Sequence, residues 1–419
     1  MKFKFIHAAD LHIDSPLRGL DSYEDAPVDQ IRGATRKALA NLVDLALRED
    51  VDLVLFVGDL FDRELGEFSG ALFFRKQLVR LVEAGIQVFI VKGNHDAEGQ
   101  ITKRVPNVDG VHVFSSRVAE VIDIPKLGVA VHGKSFPERK VPEDLVPSYP
   151  EPVAGRFNIG MLHTSLNGRT GHDSYAPTDE TTLVAKGYDY FALGHVHVRE
   201  VVREANPRIV FPGNLQGRKV TEIGSKGCEL VTVEGGTITS SEHIPLDVVR
   251  WHDITLDIAG ANNASSLADR FRDACGGLVA GAMDRLHAIR VTVKGESDLA
   301  LIEARDPGSV AAAIQAASQD FSGAGLWIES VHLDLRSPID RREAAQRQDA
   351  VGEVVKLIDE LAQDEESLRS WSLANMDKLP PLPSDLADLD PAKLTSAQLR
   401  AYLADAEATV LSKLSSAVV

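Results

Sequence analysis

Five times within its first 215 residues the chain runs through a short apolar, β-branched stretch and stops at aspartate, asparagine or histidine. The run "KFKFIHAADLH" reaches Asp10 and His12, and "VDLVLFVGDLFD" reaches Asp59 and Asp62. "IQVFIVKGNHD" delivers Asn94, His95 and Asp96 side by side, "FNIGMLH" ends at His163, and "YDYFALGHVH" ends at His195 and His197. Near-continuous apolar runs of this length predict strands covered on both faces. The stretches between the first three, "TRKALANLVDLALRED" and "FSGALFFRKQLVRLVEAG", repeat apolar residues at helical spacing, which gives β-α-β-α-β. In such sheets ligands bind beyond the carboxyl ends of the strands, and all five polar clusters fall there. Turn formation accounts for any one of them, since Asn94 and Asp96 suit a tight turn at Gly93. It does not account for five at equivalent positions.

Side chains two apart on an extended segment share a side. Asp10 with His12, and His195 with His197, therefore each form a clip for a cation. Together Asp10, His12, Asp59, Asn94, His163, His195 and His197 offer carboxylate, imidazole and amide oxygen, with no thiolate. That set suits Mn²⁺, iron or Zn²⁺ better than Ca²⁺ or a structural zinc site. Seven donors are too many for one tetrahedral ion. They fit two ions about 3.5–4 Å apart that share a bridging carboxylate, as in two-metal phosphoesterases. His132, in the run "VAVHGKSF", reads as a structural residue.

A chain of 419 residues exceeds one ordinary core and predicts two or three domains. Near Arg250 the texture changes to strand "WHDITLDI", helix "SSLADRFRDAC", strand "HAIRVTVKG", helix "PGSVAAAIQAASQDF" and strand "LWIESVHLDL". Past Pro338 the chain turns helical and acidic. One apolar stripe runs through Val351, Val354, Val355, Ile358 and Ala362, another through Leu399, Leu403, Ala406, Val410 and Leu414, with the Pro-rich "KLPPLPSDLADLDP" between them. The expected boundaries are 1–248, 249–337 and 338–419. Residues 349–419 hold 13 acidic and 6 basic side chains, a good part of the net charge of −17. That charge excludes an all-over basic nucleic-acid surface but not a local one, because pairs such as Arg75-Lys76, Arg139-Lys140 and Arg218-Lys219 gather in the first half. Cys228 and Cys275 are too far apart for a zinc ribbon, and two cysteines make no disulfide framework. With no apolar run of about 18 residues and no signal-peptide pattern, the expected location is the cytosol.

The ordered series DxH, GDxxD, GNHD, H and GHxH resembles the calcineurin-like metallophosphoesterase superfamily. Within it, "HAADLHIDSPLRGL", "GDLFDR" and "GHVHVRE" look most like the bacterial SbcD and YhaO-type DNA repair exonucleases, over about residues 1–215. The resemblance implies an α/β protein, a layered α/β/β/α sandwich with a small α/β capping domain and a helical C-terminal tail. It implies a metal-dependent phosphodiesterase that acts on DNA with two divalent cations, Mn²⁺ first among them. One cation would be held by Asp10, His12, Asp59 and His197, the other by Asp59, Asn94, His163 and His195, with Asp59 bridging. His95 would stabilise the transition state or protonate the leaving oxygen, while Asp62 and Asp96 would support the ligands from behind. Archaeal and eukaryotic relatives end the second motif in histidine where this chain has Asp62, a difference that bears on rate and preferred DNA end. The resemblance also implies a homodimer, built through the helical segments 34–49 and 69–84, and docking of the tail on an SbcC-like coiled-coil ATPase. Two other functions stay open. One is a phosphomonoesterase or protein phosphatase of the same superfamily, whose second motif is often GDxxDRG; "GDLFDRE" lacks that glycine. The other is a metal-free interaction module, which would have lost ligands that this chain keeps.

Overall fold

A computed structural model describes residues 2–15, 26–62, 69–98, 108–166, 175–336, 338, 340–376 and 393–415. The chain forms two compact units, one of Met1–His252 with Met283–Ile289 and one of Asp253–Ala282 with Arg290–Val419. In the first unit, strands β1 (Lys2–Ala8), β2 (Leu53–Val57) and β3 (Gln87–Val91) alternate with helices α1 (Val28–Arg48) and α2 (Ser69–Glu83). The strands are parallel, with Phe5 beside Leu53 and Leu53 beside Gln87, so their carboxyl ends emerge at one edge. There follow α3 (Asn94–Glu98), β4 (Val111–Val113), β5 (Glu120–Ile124), β6 (Val129–Gly133), β7 (Phe157–His163), α4 (Glu180–Ala185), β8 (Tyr190–Gly194), β9 (Glu200–Arg203), β10 (Arg208–Phe211), β11 (Gly227–Glu234) and β12 (Thr237–Pro245).

These strands make two six-stranded sheets, ordered β12-β11-β1-β2-β3-β4 and β5-β6-β7-β8-β10-β9. The second sheet repeats the logic of the first, because β6, β7, β8 and β10 are mutually parallel. The β11–β12 hairpin turns at Gly235 and Gly236, whose φ values of 60° and 85° suit glycine and the primed turns of tight hairpins. It adds β11 antiparallel beside β1.

Alternation along each strand splits the core into layers. Phe5, Leu55 and Phe89 of the first sheet meet Ile159, Tyr190 and Val210 of the second between the sheets. Ile6, Val54 and Phe56 point the other way, to Leu39, Leu42 and Ala46 of α1. On the outer face of the second sheet, Phe191 and Leu193 pack with Leu183 of α4 and with Leu145 and Tyr149 of the preceding loop. This is the α/β/β/α layering expected from the sequence. The α1 stripe of Leu39, Leu42, Val43 and Ala46 is wholly covered by its own unit, whereas Leu72 on α2 stays 59% exposed. Leu42→Ala should therefore cost about 2–5 kcal/mol through its cavity, read as a lower denaturation midpoint with an unchanged slope.

Strands β13 (Val249–Asp257) and β14 (Leu286–Glu296), which each begin in the first unit and run on into the second, and β15 (Leu326–Arg336) form a three-stranded sheet in that order, with α5 (Ala264–Ala280), α6 (Leu299–Arg305) and α7 (Ser309–Ser318) between them in sequence. Asn263 and Ser266 close a capping box at the start of α5. Helices α8 (Arg341–Gln346), α9 (Ala350–Gln363), α10 (Glu365–Met376) and α11 (Ser396–Ser415) follow. The two tail stripes pack on each other: Val351 and Val355 bury against Leu411, and Leu361 and Ile358 against Leu368, Leu399 and Leu403. Val410, expected in the second stripe, is exposed, and Leu411 takes the buried position. The Pro-rich stretch lies outside the described residues, apart from its surroundings at Met376 and Lys393.

Candidate metal centre

The carboxyl ends of β1, β2 and β3 in one sheet and of β7 and β8 in the other converge. His163 Nδ1 lies 3.1 Å from the Val57 carbonyl, tying β7 to β2. The backbone N–H of His195 donates to both oxygens of Asp10, at 3.1 and 3.0 Å, tying β8 to β1. Beyond β1 the parallel ladder continues, Asp10 N–H donating to the Gly58 carbonyl and His12 N–H to that of Asp59. Asp10, His12 and Asp59 in this continuation, and His195 after β8, lie at φ values of 52°, 41°, 50° and 102°. Such backbone is left-handed or sparsely populated for residues with a Cβ and costs on the order of 1–3 kcal/mol each. Four of the seven predicted ligands thus sit in strained backbone, so the extended clips expected from period-two spacing are not formed, and His195 groups with Asp59 and His163 while His197 groups with Asp10 and His12.

The seven donors fall into two groups. Asp10, His12 and His197 offer atoms within 4.8 Å of one another, and so do Asp59, His163 and His195. Asn94 joins the second group, its Oδ1 3.0 Å from His163 Nε2. One oxygen of Asp59, Oδ2, faces both: it is 4.0 Å from His12 Nε2 and 3.6 Å from His163 Nε2. Its other oxygen accepts the His95 backbone N–H at 3.0 Å.

Ring protonation decides what the histidines present. His12 Nδ1 lies 2.7 Å from Asp62 Oδ1, and His197 Nδ1 lies 2.9 Å from Glu222 Oε1. A carboxylate there accepts a hydrogen bond from Nδ1–H, which keeps the proton on Nδ1 and leaves Nε2 with its lone pair. The two Nε2 atoms stand 3.1 Å apart. Donors about 2.0–2.2 Å from one cation lie roughly 3–3.5 Å from each other, so two lone pairs at this distance fit a shared ion. Burial, with Arg218 nearby, lowers His12 to a pKa of about 4, which keeps it neutral. In the second group burial works against a charged His163, yet Asp59 and Asp10 beside it raise its pKa to about 9. Burial also raises Asp10 to about 6 against the pull of His197. Buried carboxylates demand a positive charge at this point, and the donor set fits divalent cations.

Asp62 does more than support one ligand. Its Oδ1 is also 3.3 Å from His95 Nδ1. Burial opposes its charge, but His12 and Arg218 hold Asp62 far below the usual carboxylate range. His95 is the partly exposed member, its side chain 32% accessible and its ring edge-on to His12. Asp96 stays out of the metal groups. Its carboxylate accepts the N–H groups of Leu60, Phe61 and Gly93, so Asn94 opens the one-turn helix α3 instead of a plain tight turn. Gly93 is required because a Cβ there would come within 2.3 Å of Asp59 Oδ1 and 2.8 Å of His163 Cε1. Gly93→Ala should displace Asp59 and lower metal uptake at both groups, measured as metal content per chain after gel filtration.

Sequence reasoning passed over Glu222 and did not place Arg218 in the site. Glu222 accepts from Asn214 Nδ2 and the Arg218 backbone N–H as well as facing His197. The signal was present in part. "RIVFPGN" is a sixth strand end, and Asn214 bridges to Ala9 beside the first motif. His132 is structural, its Nε2 2.9 Å from Asn158 Oδ1 and its ring stacked on Tyr188.

Residues 3–199 match the sequence family described as calcineurin-like phosphoesterase, and residues 251–336 match that described as metallophosphoesterase YhaO, middle domain. The uncharacterized metallophosphoesterase YhaO of Bacillus subtilis is 38% identical over 272 residues, covering 64% of this chain and 66% of the relative. The DNA double-strand break repair protein Mre11 of Sulfurisphaera tokodaii is 26% identical over 268 residues, 61% of this chain and 66% of the relative. Mre11 of Aeropyrum pernix is 28% identical over 294 residues, 64% of this chain and 66% of the relative. The chain thus spans just under two thirds of the length of these relatives. Among the described residues no helix is long and apolar enough to cross a membrane.

Proposed function

We propose that this chain, which carries a calcineurin-like metallophosphoesterase domain, is a phosphodiesterase that degrades DNA from its ends with two Mn²⁺ ions. The observation that carries the reading is the single Asp59 oxygen facing two donor groups, one of Asp10, His12 and His197, the other of Asn94, His163 and His195. When bound, two divalent cations supply Lewis-acid polarisation of a phosphoryl oxygen and an activated water at neutral pH. The protein's residues do the rest. Asp62 and Glu222 fix the protons of His12 and His197 on Nδ1. His95, with Nδ1 turned to Asp62, keeps Nε2 to hand a proton to the leaving oxygen. Phe136 and Tyr175 set ring edges against His163 and His195 and exclude water from behind them.

DNA as the substrate draws support from two sides. The Mre11 proteins that this chain resembles are named for repair of DNA double-strand breaks. Lys92 and Lys134, at the carboxyl ends of β3 and β6, form no ion pair among the described residues, and their segments are zipped together by Phe136 N–H donating to the Lys92 carbonyl. A local cationic rim is what a chain at −17 needs to hold a polyanion. The test offers the full chain, with Mn²⁺, end-labelled duplex DNA and p-nitrophenyl phosphate in parallel. The reading expects progressive loss of end label, and DNA affinity that falls with salt at a slope near about −0.9 for each phosphate neutralised. Rapid turnover of the small ester with intact DNA would support a phosphomonoesterase instead.

A further inference from the structure

Arg218 lies between two carboxylates that each grip a histidine of the first donor group. Its Nη1 is 3.3 Å from Asp62 Oδ2, and its Nη2 is 3.0 Å from Glu222 Oε1. Asp62 in turn holds His12, and Glu222 holds His197. Five side chains from four separate parts of the first unit are thereby linked, His12, Asp62, Arg218, Glu222 and His197, and Arg218 Nη2 also lies 3.4 Å from His197 Nδ1. The Arg218 side chain is only 15% exposed, and Glu222 is anchored further by the Arg218 backbone N–H and Asn214. In the second donor group His163 is oriented by the Val57 carbonyl.

We propose that Arg218 is a positioning residue whose two-ended fork locks the Asp62 and Glu222 clamps together, so that His12 and His197 address one cation as a unit. The role rests on the two-metal reading above and deepens it. A planar guanidinium reaches two carboxylates at once in fixed geometry, whereas an ammonium is a single point charge. Without the fork two buried carboxylates face each other uncompensated, and each histidine moves with its own clamp. The fork also supplies a function for Asp62 that a histidine at that position would not share, since a neutral imidazole has one acceptor, whereas the two Asp62 oxygens accept from His12 and Arg218 together.

The experiment is calorimetric titration of the metal-stripped full chain with Mn²⁺, the two binding events being assigned by their loss in His197→Ala and in His163→Ala. Arg218→Gln and Arg218→Lys should both weaken the event lost in His197→Ala by about 10–100-fold and leave the other within about twofold. A second measurement does not depend on the Arg218 variants folding. Asp62→Asn and Glu222→Gln should be non-additive when combined in the presence of Arg218, because breaking either clamp already frees the fork. Full affinity in Arg218→Lys, equal weakening of both events, or strictly additive losses would each overturn the proposal. A wild-type chain that takes up fewer than two cations would sink the two-metal reading itself, an outcome distinct from all of these.

Discussion

Asp59→Ala should lose both cations at once, while His197→Ala should weaken one binding event and spare the other. The asymmetry follows from where the groups point. Asp59 Oδ2 lies 4.0 Å from His12 Nε2 and 3.6 Å from His163 Nε2, one atom from each donor group. His197 Nε2 approaches only the first group, 3.1 Å from His12 Nε2 and 4.0 Å from Asp10 Oδ1. Losing the bridge removes several kcal/mol of charge stabilisation, and at tenfold in rate per 1.36 kcal/mol that is a fall of about 10³ or more in turnover. Metal content per chain and steady-state rates on the same preparations check it. Equal metal loss in the two variants would contradict the bridging position.

His95→Ala should behave differently, keeping two cations while turnover drops by about 10²–10⁴, the scale of a positioned general acid. Its ring is partly exposed and contacts Asp62 and the edge of His12 without entering either donor group that includes Asp59 or Asp10. The backbone N–H that supports Asp59 survives the substitution, since it does not depend on the side chain. The expected signature is therefore unchanged metal affinity with a lowered kcat, and a larger loss on substrates with poor leaving groups. A His95→Ala chain with wild-type turnover would remove the residue from the chemistry.

The strand ends were legible because two periodicities coincide there. A short, near-continuous apolar run such as "VLFV" or "YFAL" marks a strand covered on both faces, and the sudden polar residue marks its carboxyl end, where α/β sheets bind ligands. What the sequence could not show is that β1, β2 and β3 lie in one sheet and β7 and β8 in another. That partition depends on packing between Phe5, Leu55, Ile159 and Tyr190, pairs too far apart in sequence for any local pattern. Helix α3 escaped for a related reason. Five residues carry no helical period, and the turn is fixed by Asp96 reaching back to Leu60 and Phe61 across another strand's loop. Glu222 and Arg218 sit in irregular chain after β10, where neither period applies, so their roles became visible only when Glu222 was found against His197 and Arg218 against Asp62. The tail stripes illustrate the opposite case. Their apolar spacing places Val351, Val355, Leu399 and Leu403 correctly but misses at Ala362 and Ala406, which are exposed, Leu361 taking the buried position of the first; and one helix face alone does not name its partner, which in this unit is the facing helix.

The central claim is that two cations sit on either side of one Asp59 oxygen, and anomalous diffraction from crystals grown with Mn²⁺ tests it most directly. The account predicts two peaks about 3.5–4 Å apart, one among Asp10, His12 and His197, the other among Asn94, His163 and His195, with Asp59 touching both. A single peak, or two peaks that do not share Asp59, would contradict it.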